Sequence, residues 1–325
     1  MNILIIGGAG YIGGVTTHLA KNSGHNVTVA DNLSTGNDYN VPAGVELVRM
    51  DVCDRNAAAA LFSSKTYDVV MHFAAKIQVA ESMEQPHDYF AVNTFGALNV
   101  IDAAAKAGVK GYILSSTAAT YGAPTHIPLE EDDPTKPVNP YGASKLMAEQ
   151  LLASYHITHD LQWAALRYFN VAGAYDGVGT DYPFVSHIIP SLLEQMKAKK
   201  PIQINGNDYG TPDGTAIRDY VHVLDIARAH LLAAEKMVSG TELNQPINLG
   251  SRSGFSVKQV ADTFNEVTKA DLPINFGPRR AGDPAKLIAS NDRAKQLLDW
   301  QPEHNLRKII ADHYDWFLND ARRER

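Results

Sequence analysis

Cysteine is almost absent: Cys53 is the only one in 325 residues. A single thiol excludes an internal disulfide and a thiolate zinc cluster, and with them the small secreted scaffolds built on either. No metal site is read from the sequence. Long apolar runs are also missing, since none reaches the roughly eighteen residues needed to cross a bilayer. The opening Met1-Asn2-Ile3-Leu4-Ile5-Ile6-Gly7 has no basic n-region, and its apolar run is too short for a signal peptide. Positive charge is not in excess, with 29 Lys plus Arg against 36 Asp plus Glu and a net charge of −7. That balance argues against nucleic-acid and anionic-membrane partners, while leaving room for a local basic pocket. Low-complexity tracts and internal repeats are absent. These absences lead to the expectation of a soluble chain in a reducing, cytoplasmic setting.

What is present is ordinary globular material, 45% apolar and 20% charged, in a length that suits about two domains. Up to about residue 170, short β-rich runs at 2–6, 26–30, 45–50, 68–73, 110–115 and 162–168 alternate with Ala-rich amphipathic stretches at 11–22, 55–64, 88–107 and 141–156. Several runs are apolar at successive positions, as in strands covered on both faces. Repeated βα units of this kind predict an α/β fold with a doubly wound parallel sheet, whose ligand site lies at the carboxyl ends of the strands. The Pro-dotted segment 123–140 reads as a loop walling that cleft. Beyond 170, helix-like stretches at 187–199, 223–238 and 256–269 stand among Gly and Pro, predicting a smaller, less regular unit over 171–325. The boundary is approximate, and elements are free to cross it. The basic tail 321–325 reads as a frayed, solvated end.

Immediately after the first run comes Gly7-Gly8-Ala9-Gly10-Tyr11-Ile12-Gly13. Glycines at this spacing between strand and helix permit a tight turn, close approach of backbone to a pyrophosphate, and tight helix–strand packing. Asp31 closes the second run, eighteen residues beyond Gly13. A carboxylate there accepts from adenosine ribose hydroxyls and repels a 2′-phosphate. No Lys or Arg lies between Asp31 and Arg49 to offset that repulsion, so NAD is favoured over NADP. Residues 1–170 therefore read as an NAD-binding Rossmann domain. Asp51, after the third run, reads as an adenine partner.

Tyr141-Gly142-Ala143-Ser144-Lys145 opens a helix after Pro140, with phenol and ammonium one turn apart on one face. Ser115-Ser116-Thr117 ends the fifth run, where a hydroxyl faces the same cleft. Beside a nicotinamide, a phenol, an amine and a hydroxyl form a proton-transfer set for alcohol oxidation. A tyrosine acting as a base near pH 7 must drop by about three units from 10, or ~4 kcal/mol. A positive charge at about 4 Å in an effective dielectric of about 20 supplies energy of that order, so Lys145 and an oxidised nicotinamide are both expected to stabilise the phenolate.

With those residues in place, the chain resembles the extended short-chain dehydrogenase/reductases, and within them the UDP-glucose 4-epimerases. GGAGYIG, DNLSTG, HFAA (72–75), SSTAATYG (115–122), NPYGASK (139–145) and RYFNVAGA (167–174) carry the resemblance. The runs from Gly206 to Thr215 and from Arg218 to Val223, with PRRAGDPA (278–285), extend it through the second half. The resemblance implies that Tyr141 is the base, that Lys145 holds the nicotinamide ribose, and that Thr117 binds the sugar hydroxyl being oxidised. It implies an NAD site lined by Gly7, Gly10, Tyr11, Ile12, Gly13, Asp31, Asn32, Asp51, Val52, Phe73, Ala74, Ala75, Asn93, Lys145 and Phe169. Asn170, Arg218 and Arg280 are implied as diphosphate contacts and Asp283 as a contact to the uridine ribose. His187, Ile188, Gln203 and Asn205 are implied as flanking the uracil, making 171–325 a UDP-sugar-binding domain. A homodimer through the helices at 88–107 and 141–156 is implied on the same basis.

The implied reaction is epimerisation at carbon 4 of a UDP-hexose by transient oxidation, rotation of the 4-keto sugar and re-reduction. Several positions depart from the pattern. Ile77 stands where the family often has a lysine, with Lys76 beside it, and Asn205 replaces an aromatic. Leu287 occupies the position that controls room for the sugar's 2-substituent, leaving an N-acetylhexosamine open as an alternative substrate. A UDP-uronic acid epimerase, a UDP-glucuronate decarboxylase and a non-catalytic NAD-sensing module also remain open. A 4,6-dehydratase is disfavoured because Ala118-Ala119, in place of an acid, follow Thr117.

Overall fold

The computed structural model describes residues 1–124, 126–181, 187–279 and 283–319. The tail at 321–325 lies outside them. The first layer runs β1 (Asn2–Ile6), α1 (Tyr11–Asn22), β2 (Asn26–Asp31), β3 (Glu46–Arg49), α2 (Arg55–Ser64) and β4 (Val69–His72). It continues through α3 (Val79–Glu84), α4 (Pro86–Phe90), α5 (Ala97–Lys106), β5 (Gly111–Thr117), α6 (Pro140–His159) and β6 (Gln162–Tyr168). The chain then forms β7 (Asn170–Ala172), α7 (Ile188–Lys197), β8 (Ile202–Asn205), β9 (Ile217–Arg218), β10 (Tyr220–His222), α8 (Val223–Val238) and β11 (Gln245–Leu249). It ends with β12 (Phe255–Ser256), α9 (Val257–Thr268), β13 (Ile274–Gly277), β14 (Lys286–Leu287), α10 (Asp292–Leu298) and α11 (Leu306–Asn319).

Seven strands form one sheet in the order β3-β2-β1-β4-β5-β6-β11, and every neighbouring pair is parallel. The alternation of side chains across a strand explains why successive apolar residues are needed. Ile3 and Ile5 pack with Val29, Met71 and Leu166 on the face covered by α1 and α8. Leu4 and Ile6 pack with Val70, Leu114 and Leu152 on the opposite face, under α2, α5 and α6. Burying each such side chain contributes about 1.5–3 kcal/mol. The strand order reverses direction between β1 and β4, which opens a crevice at their carboxyl ends.

Elements beyond residue 170 return to this layer, α10 among them with Ala294 and Leu298 in its core. Helix α8 places Val223 and Ala227 against Tyr11 and Val15 of α1, and β11 pairs with β6 as the last strand. Pro246 is tolerated in β11 because that strand is an edge with one neighbour. A separate core of Ile189, Leu193, Ile204, Tyr220, Phe264 and Ile310 holds α7, α9 and α11 together. Tyr11 ties the layers by donating from its hydroxyl to Gly173 O at 2.7 Å.

The stretch 88–107 is not one α-helix. Between α4 and α5 the backbone widens into a π-helical turn, Ala91–Gly96. The added residue turns Asn93 inward, where its amide donates to Lys76 O and Ser144 Oγ, both at 3.0 Å, and its carbonyl accepts from Lys76 N at 2.8 Å. Gly96 lets this turn settle onto Val52, whose Cγ2 would lie 2.7 Å from a Cβ there. Insertions of this type concentrate at functional sites.

Three of the buried histidines are held neutral. Burial pushes His72 down to about 3 and His230 to about 4 from 6.5, the charge of Lys145 adding to the effect on His72. His222 falls to about 4 through burial and His304, against the opposing pull of Asp312 and Asp225. In the unfolded chain these rings take protons from about pH 6.5 downward, so the unfolded state binds more protons across that window. Their contribution to stability is full above pH 6.5 and is lost progressively as pH falls towards 4, and towards 3 for His72, on the order of 3–5 kcal/mol each. The denaturation midpoint, followed by circular dichroism, is expected to fall steadily between pH 6.5 and 4, with a shallower slope in His230→Gln.

Candidate functional site

The glycine turn is shaped by close approach. Gly7 has φ +79°, and a Cβ there would lie 2.4 Å from Ala74 N. A Cβ at Gly13 would lie 2.1 Å from Gly7 O. Both glycines are therefore demanded by packing of the β1–α1 turn against itself and against the exit of β4. Phe73 N and Ala74 N both donate to Ile6 O, at 2.7 and 3.1 Å, which brings Phe73, Ala74 and Ala75 beside the turn. Gly10 is different: as the N-cap of α1 it has ordinary φ, no side-chain cap, and no neighbour closer to a Cβ than Gly7 O at 3.4 Å. The space that a side chain would fill stands over the helix N-terminus, where backbone amides and the helix dipole favour a phosphate. The turn fits a dinucleotide pyrophosphate.

Asp31 is nearly buried, and its two oxygens accept from Ala9 N at 3.0 Å and Leu33 N at 2.8 Å. Burial raises its carboxyl pKa against the lowering effect of these amides. Leu33 is held at φ +59° beside it, a conformation that sequence reasoning did not flag. Asp51 accepts from Cys53 N at 2.8 Å and Asn32 Nδ2 at 3.0 Å, and the Cys53 amide pulls it below the usual carboxylate range. Lys76 does not replace the lysine missing at 77: its ammonium lies 3.1 Å from Glu81 and 3.4 Å from Asp88, over the Tyr89 ring.

Helix α6 starts where Asn139 caps it, accepting from Gly142 N at 2.8 Å, with Pro140 in the first turn. Gly142 lets this turn press on the segment after β5, since a Cβ there would lie 2.4 Å from Ala119 O. Sequence reasoning passed over Gly142, although a glycine just inside a helix start is a signal of close approach. The approach sets Tyr141 beside Thr117 at the end of β5. Thr117 Oγ1 accepts from Ala119 N at 3.1 Å, leaving its proton to donate. Tyr89 packs edge-on against Tyr141, with ring centres 6.3 Å apart.

In the protein without NAD, burial opposes the expected stabilisation of the phenolate. Burial pushes the Tyr141 phenol above 10, with Thr117 the only opposing influence, so Lys145 alone does not lower it. Lys145 is 2% exposed, and burial pulls it down to about 8 against the charge of Glu149. Two desolvated groups four residues apart do not activate one another without further positive charge.

Asn170 follows β6 and ties itself to Asp219 O through its amide nitrogen at 2.9 Å. Arg218 lies on β9 opposite Leu287 of β14, and its Nη2 meets Asp283 Oδ1 at 2.5 Å. The structure thus brings Arg218, Asp283 and Leu287 together. His187 caps α7 ahead of Ile188, while Gln203 and Asn205 lie exposed on β8. Arg280 lies outside the described residues.

The strand order aligns the sites. Asp51 follows β3, Asp31 ends β2, the glycine turn follows β1, Phe73–Ala75 follow β4, Thr117 ends β5 and Asn170 follows β6. Four strand spacings separate β3 from β5, roughly 19 Å. Gly10→Ala is expected to leave stability within about 0.5 kcal/mol while weakening NAD binding by tenfold or more in fluorescence titration. Gly13→Ala, with nowhere to place its methyl, is expected to lose about 1–3 kcal/mol of stability in urea. A Gly10→Ala protein that binds NAD normally would contradict the cradle.

A sequence model of the NAD dependent epimerase/dehydratase family matches residues 3–250. A UDP-glucose 4-epimerase of Corynebacterium glutamicum is 46% identical over 314 residues, covering 96% of this chain and 94% of that one. One from Lacticaseibacillus casei is 42% identical, covering 98% of this chain and 97% of that one. The crystal structure of UDP-glucose 4-epimerase from Brucella ovis in complex with NAD superposes with a TM-score of 0.92 at 36% identity, over 97% of this chain and 98% of that one. The glycine cradle, the ordered line of strand ends and a match over most of its length agree: the chain belongs to the NAD dependent epimerase/dehydratase family.

Proposed function

We propose that the protein interconverts UDP-glucose and UDP-galactose by epimerisation at carbon 4. The observation that carries this reading is the hydrogen bond between Tyr141 and Thr117 at the end of β5, one helical turn from Lys145 on α6 and on the same sheet edge as the glycine cradle. Its support from similarity is the near full-length match to UDP-glucose 4-epimerases. Gly7, Gly10, Tyr11, Ile12 and Gly13 hold the NAD pyrophosphate on α1, Asp31 and Asn32 hold the adenosine ribose, and Asp51 and Val52 flank the adenine. Phe73, Ala74, Ala75, Asn93, Lys145 and Phe169 line the nicotinamide half. Those residues would hold NAD, which when bound would supply a reversible hydride acceptor.

Tyr141 Oη takes the proton of the sugar 4-hydroxyl while Thr117 orients that hydroxyl, and Tyr141 returns the proton once the 4-keto sugar has turned over. Because burial raises Tyr141 in the bare protein, its base form depends on positive charge gathered beside it, from Lys145 and from oxidised nicotinamide. Asn170, Arg218 and Arg280 hold the diphosphate and Asp283 the uridine ribose, with His187, Ile188, Gln203 and Asn205 around the uracil. Arg218 is charge-compensated by Asp283 until a diphosphate accepts from its guanidinium. Tight binding of the nucleotide and loose binding of the sugar let the ring rotate without escape.

Two coarser readings accompany this one. Phe95 (62% exposed) on the π-helical turn and Met147 (44%) on α6 are exposed apolar side chains, which supports a homodimer through the helices at 88–107 and 141–156. Among the described residues no helix is long and apolar enough to cross a membrane, in keeping with a cytoplasmic enzyme.

The test incubates purified protein with UDP-glucose and with UDP-galactose separately and resolves the nucleotide sugars by chromatography. Both incubations are expected to converge on one mixture, with kcat lowered roughly 10²–10⁴-fold in Tyr141→Phe while NAD stays bound. No epimer from either sugar would refute the assignment. Sedimentation is expected to give a dimer that Phe95→Glu converts to monomer, and a monomeric wild type would remove the dimer.

A further inference from the structure

Tyr141, Lys145 and Glu149 follow one another at four-residue intervals and line one face of α6. Glu149 is buried, 4% exposed, and its carboxylate is engaged on the sheet side. Arg167 donates to it twice, through Nε at 3.0 Å and Nη2 at 2.6 Å, and Ser116 donates its hydroxyl to the same carboxylate. Ser116 and Arg167 are register partners on β5 and β6, and Ser116 immediately precedes Thr117. The Arg167 guanidinium sits 4.8 Å from the centre of the Tyr121 ring, and Tyr121 donates to Asn248 Oδ1 at 2.7 Å. The remaining guanidinium nitrogen, Nη1, is buried with no hydrogen-bond partner among the described residues.

A buried ion pair is a poor device for stability alone, because apolar residues of the same volume pack a helix on a sheet at lower desolvation cost. This one brings a fixed negative charge one helical turn from Lys145, and it fastens α6 to the strand that carries Thr117. We propose that Glu149 is a positioning residue: clamped by Arg167 and Ser116, it sets α6 on the end of β5 and keeps Lys145 protonated in its buried place. The proposal rests on the reading of Tyr141 and Lys145 given above and extends it to a group that touches neither substrate nor cofactor.

The groups around the pair leave Glu149 as the source of this effect. Facing Lys145 are Tyr141 and Glu149 from α6 and His72 from β4, and facing Glu149 are Ser116 from β5 and Arg167 from β6. His72 is neutral down to about pH 3 and brings no charge of its own. Glu149 is the one group that raises Lys145 against burial, and even so Lys145 titrates at about 8. Without that charge it loses its proton within the neutral range.

The test reads Lys145 directly, by titration of ε-¹³C-lysine-labelled protein in NMR, with its resonance assigned through Lys145→Arg. Glu149→Gln is expected to lower the midpoint by about one unit or more, and Glu149→Asp, which keeps the charge, to hold it near the wild-type value. Ser116→Ala removes a hydrogen bond and no charge, so it is expected to leave the midpoint in place. The alkaline limb of kcat moves down with the midpoint in Glu149→Gln while KM holds. Should the single variant not fold, because Arg167 is left facing a neutral partner, E149Q/R167M carries the same measurement with a smaller expected fall. A Lys145 midpoint unmoved by loss of the Glu149 charge overturns the proposal, as does an equal shift in Ser116→Ala. The titration is read without turnover, so its failure is distinct from the failure of the epimerase reading, which shows as absence of product in the wild type.

Discussion

The site depends on how closely the first turn of α6 lies on the chain leaving β5. Gly142 permits that contact, since any side chain there would meet Ala119 O, and Asn139 fixes the helix start by capping it. From below, the Glu149–Arg167 pair anchors the same helix to β5 and β6. Between these two fastenings Tyr141 and Lys145 have little room to move relative to Thr117. Misplacement by about 1 Å is enough to cost roughly a hundredfold in rate for chemistry of this kind.

The rest of the fold brings the remaining partners to that point. The parallel sheet sets the strand ends in one line, so Asp51, Asp31, the glycine turn and Thr117 fall in order along one edge. The second layer is not a separate body resting on the first. Tyr11 reaches from the glycine-turn helix to Gly173, and α8 and β11 return from the second half to complete the first sheet. Arg218 and Asp283, from distant parts of the sequence, meet because β9 and β14 are neighbours.

Much of this was legible in the chain. Five of the six strands up to Tyr168 announce themselves because both faces are buried, the edge strand β3 being the exception, and α1, α2 and α8 lie where their amphipathic stretches do. Other parts were not legible, for identifiable reasons. The helical period across 88–107 hides the π-helical turn, which is imposed by the side chain of Asn93 bonding to Lys76 and Ser144, a tertiary effect. Pro246 disguises β11, which survives because it is an edge. In the site, residue types and spacing pointed to Tyr141, Lys145 and Thr117, while the burial that raises the phenol is something no spacing reveals. The fate of Lys76, drawn into Glu81 and Asp88, was equally invisible.

The central claim is that the buried phenol of Tyr141 becomes a base only when positive charge is brought to it. The most direct measurement is the ultraviolet titration of Tyr141, taken as the difference between wild type and Tyr141→Phe so that the other members of the 14 tyrosines cancel. The account expects a midpoint above 10 in the NAD-free protein and a clear fall when NAD is added. A midpoint already near neutral without NAD, or one that NAD leaves unmoved, would contradict it.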